Sequence, residues 1–533
     1  QRSIFLSSHL QQQLHDLNNR KSLNLLTRIK RGIEKESLRI TQDGKLAQTP
    51  HPESLGSALA HPSITTDYSE ALMEFITAPN ESIEQSLENL ADVHSCVYQN
   101  LENEILWSAS MPCIMTGDEG IPVAEYGSSN VARMKTVYRL GLGHRYGRLM
   151  QAIAGIHYNF SMPQEFWQQA WESVDQPGDI TAYISDRYLG LIRNFHRYSW
   201  LLIYLFGASP AVCASFLRGN DKHDLQTFDE KSRSLYSPYG TALRMGDLGY
   251  NSDAQKGMKV CYNDLDNYVE TLSEAIQQPH QEYAGINSGQ NDDYQQLNDS
   301  LLQIENEFYS PIRPKRVAYS GETPLGALRR GGVEYIEVRC IDVSPFSPVG
   351  LDAQQIRFMD VFLLFCLLEE SPPCNDEEQA AQAANLEAVV NRGRQPGLSL
   401  NDGTSDLPLP EWASSLLTSM SGIAELMDEA YTSSDYTQTL REQQARVEDP
   451  ELTASARVLR EMQEKDLPFF RLAMEYSTEW AEHFRARTVA PEVQARFERE
   501  RNESIQAQTD IERADTLSFE EYLKNFYSQY TAL

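Results

Sequence analysis

The chain has 533 residues, 41% of them hydrophobic, and a formal net charge of -30 at pH 7. That length supports one large domain or two to four smaller ones around a sizeable core. The charge argues against nucleic acid and anionic membranes as partners, because both need basic surface to meet phosphate; an anionic substrate would have to be held by locally placed Arg, Lys and metal.

In chain order, the opening stretch QRSIFLSSHLQQQLHDLNNRK has no long apolar run, so no signal peptide is expected, and the missing initiator Met reads as a trimmed or engineered start. Glu34 and Glu36 follow in RGIEKESLRI. Residues two apart on a strand share a face, so both can point at one spot. Composition alone gives about ten such acidic pairs by chance, so the pair identifies nothing by itself. The segment TTDYSEALMEFIT carries Asp67, Glu70 and Glu74. On a helix Glu70 and Glu74 would share a face; LMEFIT reads instead as a strand, with Glu74 a candidate ligand and Glu70 solvated or capping.

From 80 to 107 apolar residues recur at helical spacing behind an Asn80 cap, and His94 on that stripe reads as a core histidine. Residues 154–162 alternate strictly: Ile156, Tyr158, Phe160 and Met162 form an apolar face, and His157, Asn159 and Ser161 a polar one. The apolar stretch 200–217 is broken by Gly207-Ala-Ser-Pro210, so it reads as a buried helix and turn rather than a membrane span, and the protein is expected to be soluble. Residues 281–300, rich in Asn, Gln and Asp, read as a mobile loop. Near 337 the alternation returns, with Tyr335, Glu337 and Arg339 opposite Ile336, Val338 and Cys340. After about 372 the composition turns helical, with a helix over 491–513 and a capping box from Ser518 and Glu521. The seven cysteines, Cys96 to Cys374, include no CxxC and read as reduced thiols of a cytosolic protein.

Polar-faced, apolar-backed strands imply a curved sheet around a polar cavity with helices behind it. If Glu34, Glu36, Asp67, Glu74, His157 and Glu337 converge there, their mutual repulsion calls for a cation, and an oxygen-rich set favours magnesium, manganese or calcium. No GxxxxGK[ST], GxGxxG after a strand or HExxH occurs. A nucleotide would then be gripped by metal and dispersed cations, for which Arg133, Lys135, Arg139, Arg244, Arg313, Lys315, Arg316 and Arg339 are candidates. As a group they read as surface cations, with Arg339 beside Glu337 the exception.

The stretches RGIEKESLRI, LGSALAHPSITTDYSEALMEFIT, YGSSNVARMKTVYRLGLGHRYG, GIHYNFSMP, LRMGDLGY, QIENEFYSPIRPKR, LRRGGVEYIEVRCIDVSPFSP and GRQPGLSL, in order between about 30 and 400, closely resemble the proteobacterial glutamate–cysteine ligase family. The resemblance implies an α+β fold, a curved antiparallel sheet forming a funnel with helices outside, related to glutamine synthetase. It implies one catalytic domain over 1–533, with a sheet-containing core at about 25–345 and a helical region at about 350–533. It implies that ATP phosphorylates the side-chain carboxylate of glutamate and that the amine of cysteine displaces the phosphate, giving gamma-glutamylcysteine for glutathione synthesis.

By motif position, the metal shell would be Glu34, Glu36, Asp67, Glu74, His157 and Glu337, holding Mg2+ or Mn2+. Glu36, Glu337 and Arg339 would be catalytic, with Arg339 on the transferring phosphate. Tyr138, Tyr250 and Tyr309 would line the cysteine side with Leu142 as an apolar wall, and Arg139 and Arg244 suit the amino-acid alpha-carboxylates; which holds which stays open. A cytoplasmic monomer with one reaction is expected. A ligase for another amine, a non-catalytic nucleotide sensor and a phosphohydrolase remain the rivals.

Overall fold

The computed structural model describes residues 7–19, 22–176, 178–217, 223–229, 234–248, 254–255 and 257–532. Its first strands are β1 (Lys30–Thr41), β2 (Ile64–Thr66), β3 (Leu72–Ile76), β4 (Glu104–Leu106) and β5 (Gly155–Ser161). A small separate sheet holds β6 (Ala211–Cys213), β7 (Gln226–Thr227) and β8 (Ser234–Tyr236), and β9 (Ile312–Lys315) and β10 (Tyr335–Asp342) return to the first. The seven strands of the main sheet run β2-β3-β1-β5-β10-β9, with β4 paired to the end of β1, and every pairing is antiparallel. The architecture is mixed α+β.

Alternation along the strands decides what each face holds. Ile33, Phe75, Ile156, Tyr158, Phe160, Ile336 and Val338 point backward and are fully buried. Helices Ile83–Asn100 and Ile180–Phe206 pack on that side, and Ala353–Leu368 packs on both of them. Every residue from Phe358 to Leu368 is buried, so this helix is apolar on all faces. Its one charged residue in that run, Asp360, accepts from the Arg31 guanidinium at 2.7 Å and from the Tyr158 hydroxyl at 2.8 Å, tying β1 to β5 from behind.

Helix Ile83–Asn100 is capped by Ser82, whose hydroxyl accepts from the Gln85 N–H at 3.1 Å. Asn80, the expected cap, lies two residues too early, where its side chain accepts from the Ser82 N–H at 2.8 Å. His94 is buried between Phe75 and Phe484, as a core histidine should be. The 200–217 stretch is the end of a 27-residue helix, capped by Asp179, and then a turn. At Gly207 a Cβ would lie 2.6 Å from the Ile203 carbonyl and 2.7 Å from that of Thr241, so the turn admits only glycine. Among the described residues no helix is long and apolar enough to cross a membrane. Residues 281–300 fold into turns held by buried Gln296, which accepts from Arg145 and donates to the Tyr283 carbonyl.

The later chain is helical apart from a short hairpin at Ser399–Asn401 and Asp406–Pro408. Its last helix, Phe519–Thr531, carries the expected Ser518–Glu521 capping box. The seven cysteines are free thiols, four of them buried.

Candidate active site

The front of the main sheet carries the acids. In register, Glu34 lies opposite His157, Glu36 opposite Glu74, and Glu337 opposite Asn159. The His157 Nδ1 is 3.1 Å from Glu34 and 4.0 Å from Glu337, and its Nε2 is 3.6 Å from Glu36. Glu34, His157 and Glu337 each offer a ligand atom, all within 4.8 Å of one another. Asn159 donates to Glu34 at 2.9 Å and the Gly155 N–H to Glu36 at 2.6 Å, which hold the two side chains in place. Asp67, in the turn after β2, lines the same cavity, its backbone carbonyl held by Tyr126 and by the Arg139 guanidinium.

The electrostatics divide the acids. Burial, and then Asp67, push Glu36 up to about 7. Burial and repulsion from Glu34, Asp67 and Glu36 lift Glu74 well above the carboxylate range. Burial would lift Glu337 too, but Lys315 at 3.5 Å and Arg339 at 3.1 Å outweigh it and hold the group well below that range. Burial likewise opposes ionisation of Glu34, and its bond with His157 wins. Crowded carboxylates that resist ionising together are what a bound cation relieves, so the donor set fits a hard divalent metal. Glu34, His157 and Glu337 form the tightest group, with Glu36, Glu74 and Asp67 beside it.

Helix Asn130–Tyr146 forms one wall of this cavity of about 310 Å³, through Lys135, Tyr138, Arg139, Leu142 and Tyr146. Tyr309, Arg313, Lys315 and Arg339 line it from the opposite side of the sequence. A register shift between Val338 and Ile341 bends β10 at Arg339, as bulges beside active sites do. Lys135, Arg139, Arg313 and Lys315 are therefore cavity residues rather than surface cations, which corrects the sequence reading. Arg133 and Arg316 lie outside this cavity, paired with Asp292 and Glu334. Arg244 is only 2% exposed and does not line the cavity. It donates to the Arg339 carbonyl at 2.9 Å and sits 3.9 Å from Asp342. Tyr250 lies outside the described residues. Glu70 is neither solvated nor a helix cap: buried, it accepts from the His51 and Glu125 N–H groups and joins two loops.

Among the cavity residues that escaped the sequence reading are Tyr146 and Glu307. Tyr146 continues the stripe Lys135, Tyr138, Arg139, Leu142 at helical spacing, and that period is the signal that finds it. Glu307, buried, accepts from Arg145 at 2.9 Å, the Tyr146 hydroxyl at 2.7 Å and the Gln303 N–H at 2.6 Å. It ends the single-turn 3-10 helix Glu305–Glu307, too short for a period to mark it.

A second cavity, of about 500 Å³, opens on the other side of Glu34, between Gly32, Thr77, Asn159, Trp167, Arg316 and Tyr335. Glu34 lines both. Two substrates entering from the two sides would meet at the carboxylates.

Comparison with known proteins places the whole chain. A family profile described as glutamate-cysteine ligase matches residues 14–389. The glutamate–cysteine ligase of Alcanivorax borkumensis is 49% identical over 97% of this chain and 99% of its own. A crystal structure of the Francisella tularensis glutamate–cysteine ligase in complex with AMP superposes with a TM-score of 0.88 at 35% identity, covering 95% of this chain and 98% of that one. A bifunctional glutathione synthetase from Pasteurella multocida shares the fold, with a TM-score of 0.71 at 24% identity over 90% of this chain and 56% of that one.

Proposed function

The chain belongs to the glutamate–cysteine ligase family, and we propose that its two cavities are the two halves of that reaction, joined at Glu34. It is an ATP-dependent ligase that joins glutamate to cysteine in the first step of glutathione synthesis. The observation that carries the residue-level reading is the sharing of Glu34 by a tyrosine-walled cavity lined by both acids and cations and a second cavity across the strand. We place the nucleotide in the second and the amino acids in the first.

Transfer of the gamma-phosphoryl group to the glutamate side-chain carboxylate opposes two anions. Mg2+, or Mn2+ in its place, would be held by Glu34, Glu36, Asp67, Glu74, His157 and Glu337 and would supply charge neutralisation between them. Arg339 and Lys315, both against Glu337, add fixed positive charge where the phosphoryl group passes. The cysteine amine then attacks the acyl phosphate, the carbon–nitrogen bond forms and phosphate leaves. Tyr138, Leu142 and Tyr309 wall the acceptor side, with Tyr250 assigned there by its motif. Arg139, whose guanidinium also donates to the Asp67 and Lys135 carbonyls, is assigned to an alpha-carboxylate. Arg244 supports the backbone of Arg339 instead of reaching substrate. The sheet's curvature into a funnel, the glutamine-synthetase-like relationship, a single catalytic unit over the chain, a monomeric state and a cytoplasmic location belong to the same proposal. The single unit is supported by helix Phe519–Thr531, whose Phe519 and Leu523 pack with Met134 and Val137 of the cavity-wall helix.

The test is ADP release from magnesium-ATP and glutamate with and without cysteine, with the product identified by mass. Cysteine-dependent ADP matched by gamma-glutamylcysteine is the expected result. Equal ADP without cysteine would mean a hydrolase, and none at all from folded protein a binding protein.

A further inference from the structure

Behind the acceptor wall lies a cavity of about 260 Å³ that the reaction does not use. Phe308 and Tyr309 line it from one side and the active-site cavity from the other. Its outer end reaches helix Asp376–Arg392, where Ala383 is exposed and Leu386 half-buried. The lining is mostly apolar, with Met258, Val260, Tyr262 and Pro311 among it; besides His196 it includes two Ser and two Gln side chains and Arg193, whose guanidinium is held by the Tyr262 and Ser371 carbonyls. Burial pushes that imidazole down to about 4, so it stands neutral. Its ring packs on Tyr262, and its buried Nε2 has no hydrogen-bond partner among the described residues. A neutral imidazole offers one donor and one acceptor, so the annex suits a ring or thioether with no charge at its end.

We propose that Tyr309 is the residue that restricts the acceptor to a small side chain, by closing the active site off from this apolar annex. The inference rests on the placement of Tyr309 at the acceptor side. The Tyr309 N–H donates to Gln255 at 2.9 Å and its hydroxyl reaches the Met245 sulfur at 3.4 Å, so backbone and ring tip are both anchored as a partition. Without the ring the two cavities join, and an amino acid with an extended apolar side chain gains a place for it. The bond chemistry is unchanged: glutamate, the amine and ATP give the amide, ADP and phosphate, the ammonium losing its protons to solvent. A hydrophobic pocket discriminates between side chains mainly by the room that it offers, so a wall sets the limit more sharply than the annex lining does.

The experiment measures ADP release and product mass with L-cysteine, S-benzyl-L-cysteine and L-phenylalanine as acceptors. Wild type and Tyr309→Phe, which keeps the wall, should ligate cysteine and reject the two large acceptors. Tyr309→Ala should raise the ratio of kcat/KM for S-benzylcysteine over cysteine at least a hundredfold. Adding Leu386→Trp to Tyr309→Ala fills the annex and should remove that gain, while Leu386→Trp alone leaves cysteine turnover as in wild type. Should Tyr309→Ala not fold, Tyr309→Leu carries the same test with a smaller gain. A folded Tyr309→Ala or Tyr309→Leu variant that still ligates cysteine but gains nothing overturns the inference, and so does a gain that Leu386→Trp leaves intact. A wild type that does not ligate cysteine overturns the underlying reading, and this inference with it.

Discussion

The two faces of the main sheet treat charge in opposite ways. On the back, Arg31 and Asp360 are both fully buried, and each is satisfied: the guanidinium reaches Asp360, the Ile29 and Glu81 carbonyls and Tyr431, and the carboxylate also accepts from Tyr158. On the front, Glu36 faces Glu74 directly across the β1–β3 pair, with Glu34, Asp67 and Glu337 close by. Like charges directly opposite on a sheet destabilise it. The back face therefore spends its charge on holding β1 against β5, and the front face keeps an excess of negative charge that only something from outside can balance. Matched burial marks structure here, and mismatched burial marks function.

Three substitutions can break that contrast. Glu337→Gln removes charge from the front, next to Lys315 and Arg339. Turnover should fall by about 10³-fold, the scale for losing one fixed electrostatic contact in a transition state, with a smaller loss of stability than Asp360→Asn, because Lys315 and Arg339 are partly solvent-exposed while Arg31 is not. A rate within a few-fold of wild type at limiting magnesium would remove Glu337 from the shell. Asp360→Asn acts on the back and should cost about 3–5 kcal/mol of stability in urea, because it strands the buried Arg31 charge. Where the variant stays folded, its turnover should remain far above that of Glu337→Gln. Glu74→Gln should act in both senses, raising metal-free stability by about 1 kcal/mol as repulsion is relieved and lowering activity. A loss of stability would mean that Glu74 is already balanced within the protein.

Much of the front face was legible because strands write their faces into a period of two. GIHYNFS and YIEVR separate ionisable from apolar positions, whereas RGIEKESLRI does so only in part, since Arg31, Lys35 and Arg39 share the face of Ile33; all three became neighbouring strands. The family motifs then supplied which acids belong together, something that spacing could not show. The back-face pair was invisible: Arg31 and Asp360 are 329 residues apart, and nothing local distinguishes Asp360 within an apolar helix. Glu70 failed for the same reason, since its partners His51 and Glu125 lie in loops without a period. The cavity cations were misread because a charged side chain looks alike in sequence whether it faces solvent or a cavity. Only the register of β9 on β10, which sets Arg313 opposite Glu337, and the stripe on helix Asn130–Tyr146 separate the two. Ser82 displaced Asn80 as a cap because the bridge between Arg31 and Asn80 keeps Asn80 extended.

The most direct test of the central claim is Mn2+ binding by isothermal titration calorimetry, with a non-hydrolysable ATP analogue present, to wild type, Glu337→Gln and Asp360→Asn at a temperature where all three are folded. The expected result is a loss of affinity of at least tenfold in Glu337→Gln and wild-type affinity in Asp360→Asn. Equal affinity in wild type and Glu337→Gln, or an equal loss in both variants, would contradict the assignment of the front face as the metal shell.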